Sequence, residues 1–183
     1  MKIMSRLALL VAVLSLTSCI SMIHRSVDRN DLAAVREEVN AGVPVESTDY
    51  RDKTPLLMAA EQGRMEIVRY LVEEAGADVN ATTPDSRGEI TPLRYAIENE
   101  DYEMVRFLVQ NGADVNKANR AGWTPIMTAA RTGNREILQY LLQEGADLRA
   151  RTADGTTPVR VASNNGWTDI VVWMTMLLER DES

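Results

Sequence analysis

The dipeptide Thr-Pro recurs at Thr54-Pro55, Thr91-Pro92, Thr124-Pro125 and Thr157-Pro158, in steps of 37, 33 and 33 residues. A period of that size means one small supersecondary unit per repeat, and no such unit buries its apolar face without a neighbour. The glycines keep the same time. Gly63, Gly133 and Gly166 each lie nine residues after a Thr-Pro threonine. Gly42, Gly76, Gly112 and Gly145 lie 21 or 22 residues after the start of a row, counting a degenerate row from Ser21. Gly88, Gly122 and Gly155 precede a Thr-Pro by two or three residues. One rule therefore accounts for all ten glycines and four of the six prolines.

The rule has a local cause. Threonine at an N-cap accepts a backbone N–H, and proline suits the first helical position, where no donor is needed. Glycine nine residues on ends a two-turn helix by taking positive φ. A second segment follows in each row: Ile67-Val68-Tyr70-Leu71-Val72, Met104-Val105-Phe107-Leu108-Val109, Ile137-Leu138-Tyr140-Leu141-Leu142. Its apolar spacing is helical, with charges on the opposite face. Another glycine closes that helix, and Ala-Asp-Val-Asn leads into a short hairpin before the next Thr-Pro.

Thr-Pro-Leu, Ala-Ala, Gly, Ile-Val and Gly-Ala-Asp-Val-Asn at this period resemble the ankyrin repeat. The resemblance covers residues 21–183 and implies an all-α repeat solenoid, a helix-turn-helix stack with short β-hairpin loops. Five repeats are expected: a degenerate N-terminal one over 21–53, then 54–90, 91–123, 124–156 and a C-terminal cap over 157–183. The family's Thr-Pro-Leu-His histidine ties the hairpin. Only His24 keeps it, with Leu57, Arg94, Met127 and Arg160 standing at that position in the other rows. His24 is accordingly read as structural. Gly76 is 15 residues from Thr91, where the other intervals are 12. The loop through 82–90 should thus project further. Glu100 stands where glycine ends other first helices, so that turn should be strained.

The N-terminus reads as an address. Lys2 and Arg6 precede Leu7–Leu16, ten nearly all apolar residues. Ten residues make about 15 Å of helix, half a bilayer core, so the segment reads as a signal h-region and not a span. Leu16-Thr17-Ser18-Cys19 resembles the lipobox of bacterial lipoproteins. That resemblance implies cleavage after residue 18, acylation of Cys19 (palmitate among the chains), and, with Ile20 next, an outer-membrane site facing the periplasm. Met22 offers an internal start for a minor cytosolic form.

Composition narrows the function. One Cys excludes a disulfide framework and a thiolate metal cluster, and one His excludes multi-histidine metal sites. No Gly-rich phosphate loop and no Gly-x-Ser-x-Gly elbow occurs. No enzyme, catalytic residue, metal or cofactor is expected. A net charge of −7 argues against nucleic acid as partner. In the family a concave face of first helices and hairpin tips binds proteins. Transferred by spacing, that surface comprises Tyr50, Arg51, Lys53, Arg87, Glu89, Arg94, Arg120, Trp123, Arg131, Asp154 and Arg160. Arg51, Lys53, Arg87 and Arg120 should make the tips basic.

The chain is similar to ankyrin-repeat lipoproteins that serve as immunity proteins against type VI secretion phospholipase toxins. This implies a protein partner, a membrane attachment through the lipid, and a monomer when unbound. A second class is also similar: periplasmic ankyrin scaffolds that support an envelope enzyme such as a catalase. Partner identity is not legible in the residues.

Overall fold

The computed structural model describes residues 22–83 and 89–180. The signal segment and Cys19 lie outside the described residues, as do Arg87 and most of the expected projection of the loop through 82–90. The chain forms two compact units, residues 1–81 and 82–183, divided at that loop.

Helices alternate short and longer as the period requires. In the first unit α1 spans residues 22–28, followed by α2 (Leu32–Asn40), α3 (Pro55–Glu61) and α4 (Met65–Glu73). In the second unit α5 (Pro92–Glu98), α6 (Tyr102–Gln110), α7 (Pro125–Thr132), α8 (Arg135–Gln143), α9 (Pro158–Asn164) and α10 (Thr168–Arg180) complete three further repeats. Within that unit α5 packs on α7 and α7 on α9, while α6 packs on α8. The expected all-α repeat stack is what forms.

Most helix starts have an identifiable group behind them. Thr54, Thr91 and Thr157 accept from the N–H of Leu57, Arg94 and Arg160, at 3.2–3.3 Å. Thr124 makes no cap bond, and its Oγ1 is buried without a partner. The turn that ends each first helix is left-handed: Asn30 at φ 56°, Gly63 at 68°, Glu100 at 55°, Gly133 at 81°, Gly166 at 80°. The expected strain at Glu100 is present. The caps of the second helices were not legible in the repeat rule. Asp31, Asp101 and Asn134 accept from the N–H of Ala34, Met104 and Ile137. An Asp or Asn directly before the apolar segment is the signal that would have found them.

The Gly-Ala-Asp-Val-Asn stretch is also explained bond by bond. The N–H of Ala113 and Ala146 reach back to Leu108 and Leu141 at 3.0 and 2.9 Å, closing the second helices. Asp78, Asp114 and Asp147 accept from the N–H two residues on. Asn116 then staples its repeat to the next, donating to the Gly145 carbonyl at 2.9 Å and accepting from the Asp147 N–H at 2.8 Å. Glu46 makes the equivalent contact to the Asp78 N–H in the first unit.

The core is made of the repeated apolar stripes. Ile67, Val68 and Leu71, then Met104, Val105 and Leu108, then Ile137, Leu138 and Leu141 are completely buried. The small residues Ala59, Ala60, Ala96, Ala129 and Ala130 are buried in the first helices and let them approach closely. In α10 Met174 is buried, whereas Val172 and Met176 are exposed.

The loops between repeats are tighter than β-hairpins. Among the described residues no strand forms; a single isolated bridge pairs Thr83 with Ile90. Elsewhere two backbone bonds close each finger: Asp49 N–H to Lys53 with Asp52 N–H to Asp49, Asn119 to Trp123 with Gly122 to Asn119, and Thr152 to Thr156 with Gly155 to Thr152. Proline follows one residue after the next threonine and has no N–H, so a longer ladder has no room.

Candidate functional site

The fingers hold most of the expected surface. At the tip of the first, Tyr50 is 92% exposed and the Arg51 guanidinium lies 5.5 Å from its ring centre. The tip is shaped by Asp49, which accepts from the N–H groups of Arg51 and Lys53 at 2.8 and 2.9 Å and from Arg51 Nε at 3.2 Å. Burial alone would raise the Asp49 carboxyl, but these donors outweigh it and hold it below its ordinary value. Asp52 closes the turn at φ 58°, where Gly122 and Gly155 close the later fingers.

Lys53 is not at an exposed tip. It is buried, and its Nζ meets Glu61 Oε1 at 2.5 Å. The helix that starts at Thr54 draws the residue before it inward, so only residues up to Asp52 reach outward. Its carbonyl receives the His24 Nε2 donor at 3.0 Å, which ties α1 to the finger at the end of the same repeat. The structural reading of His24 is thereby explained.

In the second unit Arg120 is 80% exposed along its side chain and pairs with Glu89 at 3.5 Å. Trp123 is half-buried; its indole N–H donates to Thr128 Oγ1 at 2.9 Å, which pins the ring against α7. Asp154 accepts from Thr152 Oγ1 and from the Thr156 N–H, donors that keep its carboxyl below the ordinary range. The basic tips of the sequence reading are thus largely neutralised: Asp49 serves Arg51, Glu61 serves Lys53, and Glu89 serves Arg120.

The first helices carry the remaining three. Arg94 Nε donates to Glu98 Oε1 at 3.3 Å, and Arg131 Nη2 reaches the same oxygen at 3.1 Å from the neighbouring repeat. Arg94 is mostly covered, and its Nη1 is buried with no acceptor. Arg160 is exposed on α9 and makes no side-chain hydrogen bond or ion pair among the described residues.

The sequence reading missed several residues. Trp167 lies over the α7–α8 turn, its indole N–H on the Arg131 carbonyl at 3.1 Å. A Cβ on Gly133 would stand 2.3 Å from that ring. Arg36 grips the Glu74 carboxylate with both guanidinium arms at 2.7 Å and lies 4.3 Å over Tyr70. Among the described residues no group of three or more His, Cys, Asp or Glu could hold a metal ion. Nor is any described helix long and apolar enough to cross a membrane.

A family model described as ankyrin repeats (3 copies) matches residues 23–119, and one described as ankyrin repeats (many copies) matches residues 108–162. Among curated proteins, alpha-latrotoxin-Lh1a of Latrodectus hasselti is 47% identical over 62 residues, covering 34% of this chain and 4% of the toxin. BRCA1-associated RING domain protein 1 of Caenorhabditis elegans is 32% identical over 102 residues, covering 56% of this chain and 14% of that protein. Putative ankyrin repeat protein FPV244 of Fowlpox virus is 27% identical over 96 residues, covering 52% of this chain and 14% of the viral protein. The chain therefore spans only a small part of the relatives it matches.

Proposed function

The chain belongs to the ankyrin-repeat family, and we propose that it is a membrane-anchored, periplasm-facing binding protein that captures and neutralises a lipid-attacking secreted toxin. Ankyrin repeats are protein-interaction modules, and a protein partner is the coarse reading the family supports. The observation that carries the reading is the division of labour between faces. Apolar stripes are consumed in packing, while Tyr50, Arg120, Arg131 and Arg160 stay exposed on fingers and first helices. Tyr and Arg are the side chains that most often anchor interfaces.

Acylation of Cys19 would hold the first repeat, which begins two residues later, close to the headgroups. A phospholipase must approach the membrane to act, so an inhibitor tethered there meets it. The test is toxin challenge. A strain carrying the full chain should survive a periplasmic phospholipase effector that kills the parent, and Cys19→Ser should reduce survival. Survival without the chain, or equal killing with and without it, rejects the immunity reading. Co-purification with an envelope enzyme in the absence of any effector would favour the scaffold class instead.

A further inference from the structure

The sequence places positive charge on the fingertips, but Arg51, Lys53 and Arg120 are paired. The first helices of the second unit carry cations in excess of acids. There α5, α7 and α9 carry Arg94, Arg131 and Arg160 against a single acid, Glu98. Glu98 Oε1 is shared between two guanidiniums, at 3.3 and 3.1 Å. One carboxylate satisfies one planar fork well and two poorly. Arg94 Nη1 is left buried without an acceptor, and Arg160 has no side-chain partner among the described residues. An uncompensated guanidinium in a partly buried setting favours a second anion nearby.

We infer that this row of three arginines receives an acidic segment of a protein partner, whose carboxylates complete the half-filled Arg94–Glu98–Arg131 cluster and pair with Arg160. The inference rests on the protein-binding reading above and adds the partner's chemistry. A chain of net charge −7 repels polyanions as a whole, so any acidic segment it retains is held locally. The first helices of the first unit offer no such excess, with Arg25 set against Asp28 and Glu61. A carboxylate is favoured over phosphate polymers because nucleic acid and anionic lipid bind through broad, strongly cationic surfaces, which three arginines on an acidic chain do not provide.

The experiment uses the full chain, detergent-solubilised, and a fluorescein-labelled deca-glutamate peptide at low salt. Arg131→Glu with Arg160→Glu should weaken binding about tenfold or more, as loss of two charge-assisted contacts requires. Arg25→Glu with Arg29→Glu changes net charge equally and should leave binding within about twofold, as expected for cations that are not part of the row. Arg160→Glu alone should weaken binding without a shift in thermal unfolding, since that exposed side chain makes no hydrogen bond or ion pair among the described residues. Equal loss in both double variants, or no binding at any salt, overturns the proposal. So does equal or tighter arginine-dependent binding to phosphatidylglycerol vesicles. Failure of toxin protection with arginine-dependent peptide binding intact removes the immunity reading alone. A captured toxin indifferent to Arg131→Glu and Arg160→Glu removes this inference alone.

Discussion

At the residue scale, the repeat's backbone demands a left-handed residue nine positions after the start of each row, whatever the side chain there. Asn30 and Glu100 meet that demand without glycine. Asparagine tolerates it; glutamate costs roughly 1 kcal/mol more than glycine. Glu100 recovers part of this by accepting from Asn134 Nδ2 at 3.3 Å, an exposed and long bond. Glu100→Gly is therefore expected to raise stability by about 0.5–1 kcal/mol in urea unfolding. A loss of stability would mean the Asn134 contact outweighs the backbone strain. Glu38 is a second local conflict. Its Oε1 accepts from Ser26, its Oε2 is buried without a donor, and burial raises its carboxyl above the ordinary value. A raised acid binds its proton more tightly when folded. Its contribution thus falls as pH rises from the unfolded value near 4.5 through the folded one. Glu38→Gln should flatten that fall and make the protein more stable than wild type at pH 7, measured as the thermal midpoint across pH 4–8.

At the element scale, the four Thr-Pro starts look identical in sequence but not in structure. Thr54 caps α3, whereas Thr124 Oγ1 bonds nothing while Thr128 and Trp123 form their own contact beside it. Thr54→Val should cost about 1 kcal/mol, the usual worth of a lost cap, and Thr124→Val well under half of that. Equal costs would show that the hydroxyl of Thr124 is bonded in solution. The α7–α8 turn carries a sharper constraint. Gly133 is both left-handed and in contact with the Trp167 ring, so two independent penalties meet at one atom. Gly133→Ala is expected to lose about 2 kcal/mol or more. In a Trp167→Ala background the clash is gone and only the backbone term of roughly 1 kcal/mol should remain. A double-mutant cycle measures the difference.

At the scale of the whole molecule, acid tolerance follows from opposed carboxylates. Asp49 is held below its ordinary value, so it stabilises the fold above the unfolded value near 3.8 and loses that contribution as pH falls through its folded value. Glu38 acts in the opposite sense at higher pH. Stability is thus expected to decline on both sides of the mildly acid range. Asp49→Asn should remove the acid limb belonging to the first finger and lower stability at pH 7. A titration whose acid limb is unchanged in Asp49→Asn would reject the role assigned to that carboxylate. Charge is also distributed by unit: the first unit's first helices are close to neutral or acidic, and the second unit's carry the cationic row.

The period, the two-helix unit, the helix ends and the ankyrin family were legible in the residues. All follow from short-range chemistry: a threonine cap, a proline without a donor, a residue at positive φ, and apolar side chains every three or four positions. The strain at Glu100 and the role of His24 were legible for the same reason, as departures from a strict local rule. Which surface residues are free was not. Lys53 turned inward onto Glu61, the finger arginines found acids, and one glutamate came to serve two arginines from neighbouring repeats. Arg51 and Lys53 find their acids nearby in the chain, through the finger's own turn and the helix start that draws Lys53 inward. Arg120 with Glu89 and Arg131 with Glu98 join residues of neighbouring repeats, and only the stacking of one repeat on the next brings such side chains within hydrogen-bond reach.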